Sequence, residues 1–376
     1  MKKVLWIFAF LVVGCFTLSV SFAESIDSPL KQSKFVSDIH DVKCKDNLVL
    51  IFKANIWSPA CVKPTTVDKL IERGWASEHD PHQMMMSTDK GFFTLQGDNK
   101  IGSLTMFSLD AGPMMTYIDT DKEGTKILAT SSGSDSLYVY DLPDKKLKSI
   151  IPVGQTPKGV KIHPEGQLAF VSNEASDTIS VIDLNSLLVT KEIEVGKIPH
   201  NIRFDSKGDF AYVTLQGEDK IGIIDVASLE MISSIDVEKM PHNLDLSPDD
   251  KYLYVANIGT SDVAVIDLET DEIIKRIKVS TGHHGIDVTN NGSRIYVSGI
   301  GSDKVNVIDA QSLELIKQID VGKGPHGIRA NDYGSKVYVA VTQTNEIVVI
   351  DAEMLEIKDR ISVGKVPFWL AIPGNP

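Results

Sequence analysis

Nine histidines occur in the 376 residues, and five of them stand at one place of a repeated motif. His82, His200, His242, His284 and His326 each follow a Pro or His that opens an apolar run, and the last four are 42 residues apart. Imidazoles brought together from separate segments are ligands for copper, zinc, iron and nickel. His79 and His283 adjoin the set as extras, and Met84, Met85 and Met86 add thioethers, which suit Cu(I). The competing role is structural. A ring nitrogen in "PHG" or "PHN" bonds a backbone carbonyl of the neighbouring unit and locks the turn, and duplication multiplies it. Which role holds depends on the elements that position the rings.

Those elements are an array. Pro157, Pro199, Pro241, Pro325 and Pro367 are separated by 42 residues or a multiple of it. The same interval relates Asp141, Asp183, Asp225, Asp267, Asp309 and Asp351, and also Phe170, Tyr212, Tyr254, Tyr296 and Tyr338. Gly124, Gly166, Gly208, Gly292 and Gly334 share a third phase, with Asp250 in the sixth place. A common period across residue types marks an internal repeat.

Each unit reads as four short strands. From Pro325 the runs "HGIRA", "KVYVAV", "EIVVID" and "EIKDRISV" are rich in Val, Ile and Tyr and bounded by Gly, Asn and Asp. No run carries a 3.6-residue period long enough for a helix. The Asp after "VI" caps a turn through its carboxylate. Four-stranded units of this length stack around an axis as a β-propeller. Units beginning at Pro81, Pro113, Pro157, Pro199, Pro241, His283 and Pro325, with a partial eighth at Pro367, predict an all-β, seven-bladed propeller of 42-residue repeats over residues 77–376, closed where the final strand meets the first unit, with six or eight blades as the alternatives. The first unit is short and is expected to lack its outermost strand. Innermost strands line the channel, so one mouth is expected to carry an arc of five imidazoles, with Met114 and Lys158 completing it.

The unit "P-H-G-I … Y-V … V-I-D … I-x-V-G" resembles the YVTN-type β-propeller repeat of bacterial and archaeal surface and periplasmic proteins. The resemblance implies the fold and an extracytoplasmic place; the fold itself carries many functions. The strings "HDPHQMMMSTDKG" and "HHGIDV" distantly resemble the His-rich blade entries of nitrous oxide reductase, whose propeller holds copper by histidines. This chain lacks that family's copper-binding C-terminal domain.

The N-terminus reads as a secretory signal over residues 1–23: two lysines, an apolar run, then Ser21 and Ala23 at small-residue cleavage positions. Two alternatives stand beside cleavage: lipidation at Cys15 in "VVGC", and retention of the uncut run as a membrane anchor. Residues 24–76 break the repeat and are expected to form a small module stapled by Cys44 and Cys61, since paired cysteines outside the cell oxidise. The stretches "SPLKQ", "CKDNLVLIFKA" and "SPACVKP…KLIERGW" resemble a two-cysteine module in secreted archaeal proteins.

A formal net charge of −13 opposes nucleic-acid binding, which needs phosphate neutralisation. No P-loop, Gly-x-Ser-x-Gly elbow or Cys-x-x-Cys-His motif occurs. The leading expectation is therefore a non-enzymatic, secreted or cell-surface module. Its polar loops "QGEDK", "GTSDV", "GSDKV" and "QTNEI" would receive a protein or small-molecule ligand. The alternatives are a copper-binding redox or metal-handling protein built on the histidine arc, and, by analogy of fold alone, a lactonase-like hydrolase. Membrane association is expected only if the N-terminal segment is kept or lipidated.

Overall fold

The computed structural model describes residues 44–45, 48–52, 59–66, 69–70, 93–96, 100–103, 108–331 and 334–373. The signal segment and the histidines at 79 and 82 lie outside them. By compactness the chain divides into residues 1–86 and 87–376.

The strand pairing corrects the expected count of seven 42-residue repeats: six are complete. They are blades A (115–152), B (157–194), C (199–236), D (241–278), E (283–320) and F (325–362), each of four consecutive antiparallel strands. In blade C these are Pro199–Phe204, Phe210–Leu215, Lys220–Asp225 and Glu230–Asp236. A further four-stranded sheet is not a repeat of consecutive strands. Its innermost strand, Pro367–Ala371, comes from the C-terminal end and pairs with Phe93–Gln96, followed by Lys100–Ser103 and Ser108–Asp110. The first unit thus has an outer strand and borrows its inner one. The place assigned to Pro81 is filled by Pro367. The borrowed strand joins the two ends of the array, so neither is left as an open edge.

Burial explains the strand sequences. The first three strands of a blade are sandwiched between neighbouring blades, so Leu168–Asn173 or Phe210–Leu215 are buried almost throughout and read as continuous apolar runs. Outer strands face water and bury one residue in the sixth place, such as Ile193, Ile235, Ile277 or Ile319. The repeated Asp is a turn cap: Asp183 accepts the Asn185 and Ser186 backbone N–H groups, and Asp225 that of Ser228 at 2.7 Å. The glycine phase sits at positive φ, and Asp250 (φ 56°) takes the same conformation, which Asp tolerates better than most residues.

The first unit contains a two-stranded hairpin, Val49–Phe52 with Pro59–Val62, in which Leu50 faces Cys61. Cys61 is disulfide-bonded to Cys44. No cysteine lies beyond Cys61. Reduction is therefore expected to leave the propeller's calorimetric unfolding transition in place and to loosen only the N-terminal unit. A propeller midpoint that falls on reduction would contradict this.

Candidate ligand site at the channel entrance

The inner strands, Met115–Thr120, Pro157–Ile162, Pro199–Phe204, Pro241–Leu246, His283–Val288, Pro325–Ala330 and Pro367–Ala371, follow one another around the axis. Their second residues are Thr116, Lys158, His200, His242, His284, His326 and Phe368. One expectation is corrected here. Met114 is not in this ring: it precedes the strand, 69% exposed at φ 46°, and Thr116 takes the place. The closing sheet contributes Phe368, because its inner strand is the C-terminal one. His283 and His284 open the inner strand of blade E, but their side chains are outside the description.

Several entrance turns are held by groups other than imidazoles. Ser/Thr hydroxyls on second strands donate to the carbonyl of the ring residue one blade on: Thr130 to Lys158 at 2.6 Å, Ser172 to His200 at 2.6 Å, Thr214 to His242 at 3.2 Å. Acidic loop residues are used similarly. Asp177, Asp219 and Asp303 accept the N–H of Ile198, Met240 and Gly324. Much of the loop acidity read from "QGEDK" and "GSDKV" therefore latches blades together.

His200 is released for another role. Its Nδ1 lies 2.5 Å from Glu174 Oε1 and its Nε2 2.9 Å from the Tyr117 hydroxyl. Burial lowers the His200 pKa against the pull of Glu174, which favours the neutral ring. It then donates from Nδ1 to the carboxylate and accepts at Nε2 from Tyr117. Burial acts to raise the Glu174 pKa, but its bonds to His200 and the Lys158 ammonium 3.7 Å away hold it below the usual range. The His242 ring lies 4.1 Å from that of His200, and its Nδ1 receives the Asn243 amide at 2.8 Å. His326 has a different setting. Its ring meets Phe368 and Trp369 edge-on, and burial pushes it down to about 4 against a hydrogen bond with the Phe368 backbone. This is the structural role expected of a "PHG" histidine.

Sequence reasoning missed Glu174, Gln216 and Tyr117. Glu174 and Gln216 occupy one repeat position, whose other occupants are Ser132, Ile258, Ile300 and Thr342. The signal was there as departures from the repeat. The Gln216 Nε2 is buried without a hydrogen-bond partner among the described residues.

Below this entrance the third residues of the inner strands form a layer. Tyr117 reaches across the channel to Asn243, Asn201 Nδ2 donates to Asn243 Oδ1, and Trp369 packs on Tyr117 at 4.4 Å. Six of the seven fifth residues are charged, Asp119, Lys161, Arg203, Asp245, Asp287 and Arg329, and the seventh is Ala371. They too recur every 42 residues and were legible as a column.

As for a metal, no group of three or more His, Cys, Asp or Glu converges among the described residues. Both His200 ring nitrogens are already committed, so a metal there would have to displace Glu174 or Tyr117.

Comparison with curated proteins finds no match. Among solved structures the chain is similar to Kuenenia stuttgartiensis hydrazine synthase (TM-score 0.64, 20% identity, 70% of this chain and 91% of that one). It is also similar to a functionally unknown protein from Desulfotomaculum acetoxidans (0.65, 14%, 75% and 98%). A third is the dihydro-heme d1 dehydrogenase NirN in complex with DHE (0.61, 16%, 77% and 76%). At these identities the likeness is one of fold. A family model described as YNCE-like β-propeller matches residues 126–249 and 174–336, together more than half of the 376 residues. The chain belongs to the YNCE-like β-propeller family.

Proposed function

We propose that the protein is an exported, extracytoplasmic binding module that takes a small polar ligand or a protein side chain at the channel entrance. The observation that carries this reading is the cluster of Lys158, Glu174, His200 and His242, with the buried Gln216 amide at the Glu174 position of the next blade. The repeat does not require these side chains, because hydroxyls and loop aspartates already hold the blades. Evolutionary duplication would copy a Ser, Ile or Thr at the Glu174 position, yet two adjacent blades carry a carboxylate and an amide. The YVTN-type unit and the N-terminal signal pattern support the export half of the reading.

The test is a thermal-shift screen of sugars, dicarboxylates and short peptides on the purified protein. Ligands that stabilise the wild type should bind Glu174→Gln and His200→Ala at least about tenfold more weakly, the scale of one lost charge-assisted hydrogen bond. Asp225→Asn, at the far end of a third strand, should leave binding unchanged. Equal binding to all variants, or retention of the tagged full chain in the cytosolic fraction, would sink the reading.

The contact of the His200 and His242 rings favours one second reading, copper handling. Titration with copper would then raise the unfolding midpoint, and His200→Ala and His242→Ala would abolish the rise non-additively.

A further inference from the structure

About 10 Å below the entrance, three residues along strands that rise ~3.3 Å each, the channel carries a belt of buried charge. Lys161 Nζ lies 3.2 Å from Asp119, Arg203 Nε 3.0 Å from Asp245, and Arg329 Nη1 3.2 Å from Asp287. The second oxygen of each carboxylate is taken by a backbone N–H of the next blade: Ile162 at 2.8 Å, Val288 at 2.7 Å and Ala330 at 2.6 Å. Formal charge balances, but hydrogen bonding does not. Each guanidinium has five donors and the ammonium three, and the carboxylates spend part of their capacity on the backbone. Arg203 shows the result. Its Nε reaches Asp245 and its Nη1 the Ile202 carbonyl, while Nη2 is buried with no partner among the described residues. The residue is 3% exposed. An orphaned charged donor at such a depth costs free energy unless something accepts from it. Burial first, and the charge of Arg203 besides, disfavour the protonated forms of Lys161 and Arg329.

We infer that the lumen binds one small monovalent anion of the halide class on Arg203 Nη2, the orphaned donor of the belt. All six belt side chains are less than a tenth exposed, so an acceptor at Nη2 must be small. The Tyr117 layer separates this place from the entrance cluster, so it is independent of the ligand proposed there.

The probe is bromide. Full-length protein prepared in sodium gluconate, an anion too large for the lumen, is unfolded thermally with sodium bromide replacing gluconate at constant ionic strength, so that screening is held fixed. The expected result is a saturable rise in midpoint, lost in Arg203→Met and in Arg203→Lys. The lysine variant keeps the charge without the Nη2 donor and carries the test if the methionine variant fails to fold. Crystals grown in bromide should show an anomalous peak beside Nη2. Both results are required. A water at Nη2 without an anomalous peak, a peak without a saturable response (an adventitious ion only), or a bromide response equal in the variants would each overturn the assignment.

Discussion

Asp287→Ala should destabilise the propeller by about 3–5 kcal/mol, the usual loss when one partner of a buried ion pair is removed. Asp287 is fully buried, and its two oxygens hold Arg329 Nη1 and the Ala330 N–H. Truncation removes the countercharge from Arg329 and the carboxylate acceptor from the Ala330 N–H, while Arg329 stays locked in place by the Ile286 and Ile328 carbonyls and by Trp369, 5.3 Å away. Urea unfolding at pH 8 measures the loss. A cost under about 1 kcal/mol, the value of an exposed pair, would mean that the belt relaxes freely. The same residue makes stability depend on pH. Burial, with Asp245 nearby, pushes the Asp287 carboxyl up to about 7, against the pull of Arg329. The folded protein then holds this proton more tightly than the unfolded chain. Its contribution is full below about pH 4, the unfolded carboxylate pKa, and is lost as pH rises toward 7. The difference between wild type and Asp287→Asn should fall across that window by roughly 1.4 kcal/mol for each tenfold by which folding tightens the hold on the proton. A flat difference would contradict it.

Gly159→Ala is expected to be the most damaging glycine change, at about 3 kcal/mol or more, at the upper end for overpacking. A Cβ there would stand 2.6 Å from the His200 carbonyl oxygen and 3.0 Å from the Asn201 Cα. Both are backbone atoms of the next inner strand and cannot swing aside. The blade would have to move, and with it the His200–Glu174 contact. Gly166→Ala is the control: φ is +75° but no atom lies within 4 Å of the added carbon, so only the backbone penalty of roughly 1–2 kcal/mol applies. Denaturation midpoints of the two variants, with the His200 imidazole resonances as a local readout, separate close approach from backbone strain. Equal losses would remove the close-approach argument.

The "PHG" units thus have a physical logic that the repeat pattern only half reveals. Gly159, Gly285 and Gly327 each meet a neighbouring inner-strand backbone where a side chain would collide. The pattern presents the histidines at the second place of the inner strands as one kind of residue with one role. His326 leans on the Phe368 backbone, whereas His200 bonds Glu174 and Tyr117, neither of which is near it in the chain.

The sequence alone determined what is local and periodic: four strands per 42 residues, the Asp-capped turns, the positive-φ glycine phase and the Cys44–Cys61 pair. Each depends on residues a few positions apart, or on a repeat that places equivalent residues at the same height in successive blades. The 42-residue phase of Pro367 also pointed to closure of the ring by the final strand on the first unit. Only the tertiary structure decided that this strand, paired with Phe93–Gln96, is the innermost one of its sheet. That pairing put Phe368 in the ring and left six complete repeats where seven were expected. It is also tertiary contact that matched Lys161 to Asp119 and Arg203 to Asp245. The 42-residue column shows that charges line the channel, but a period cannot say which neighbour each one faces, because a side chain on an inner strand can reach either adjoining blade or across the lumen.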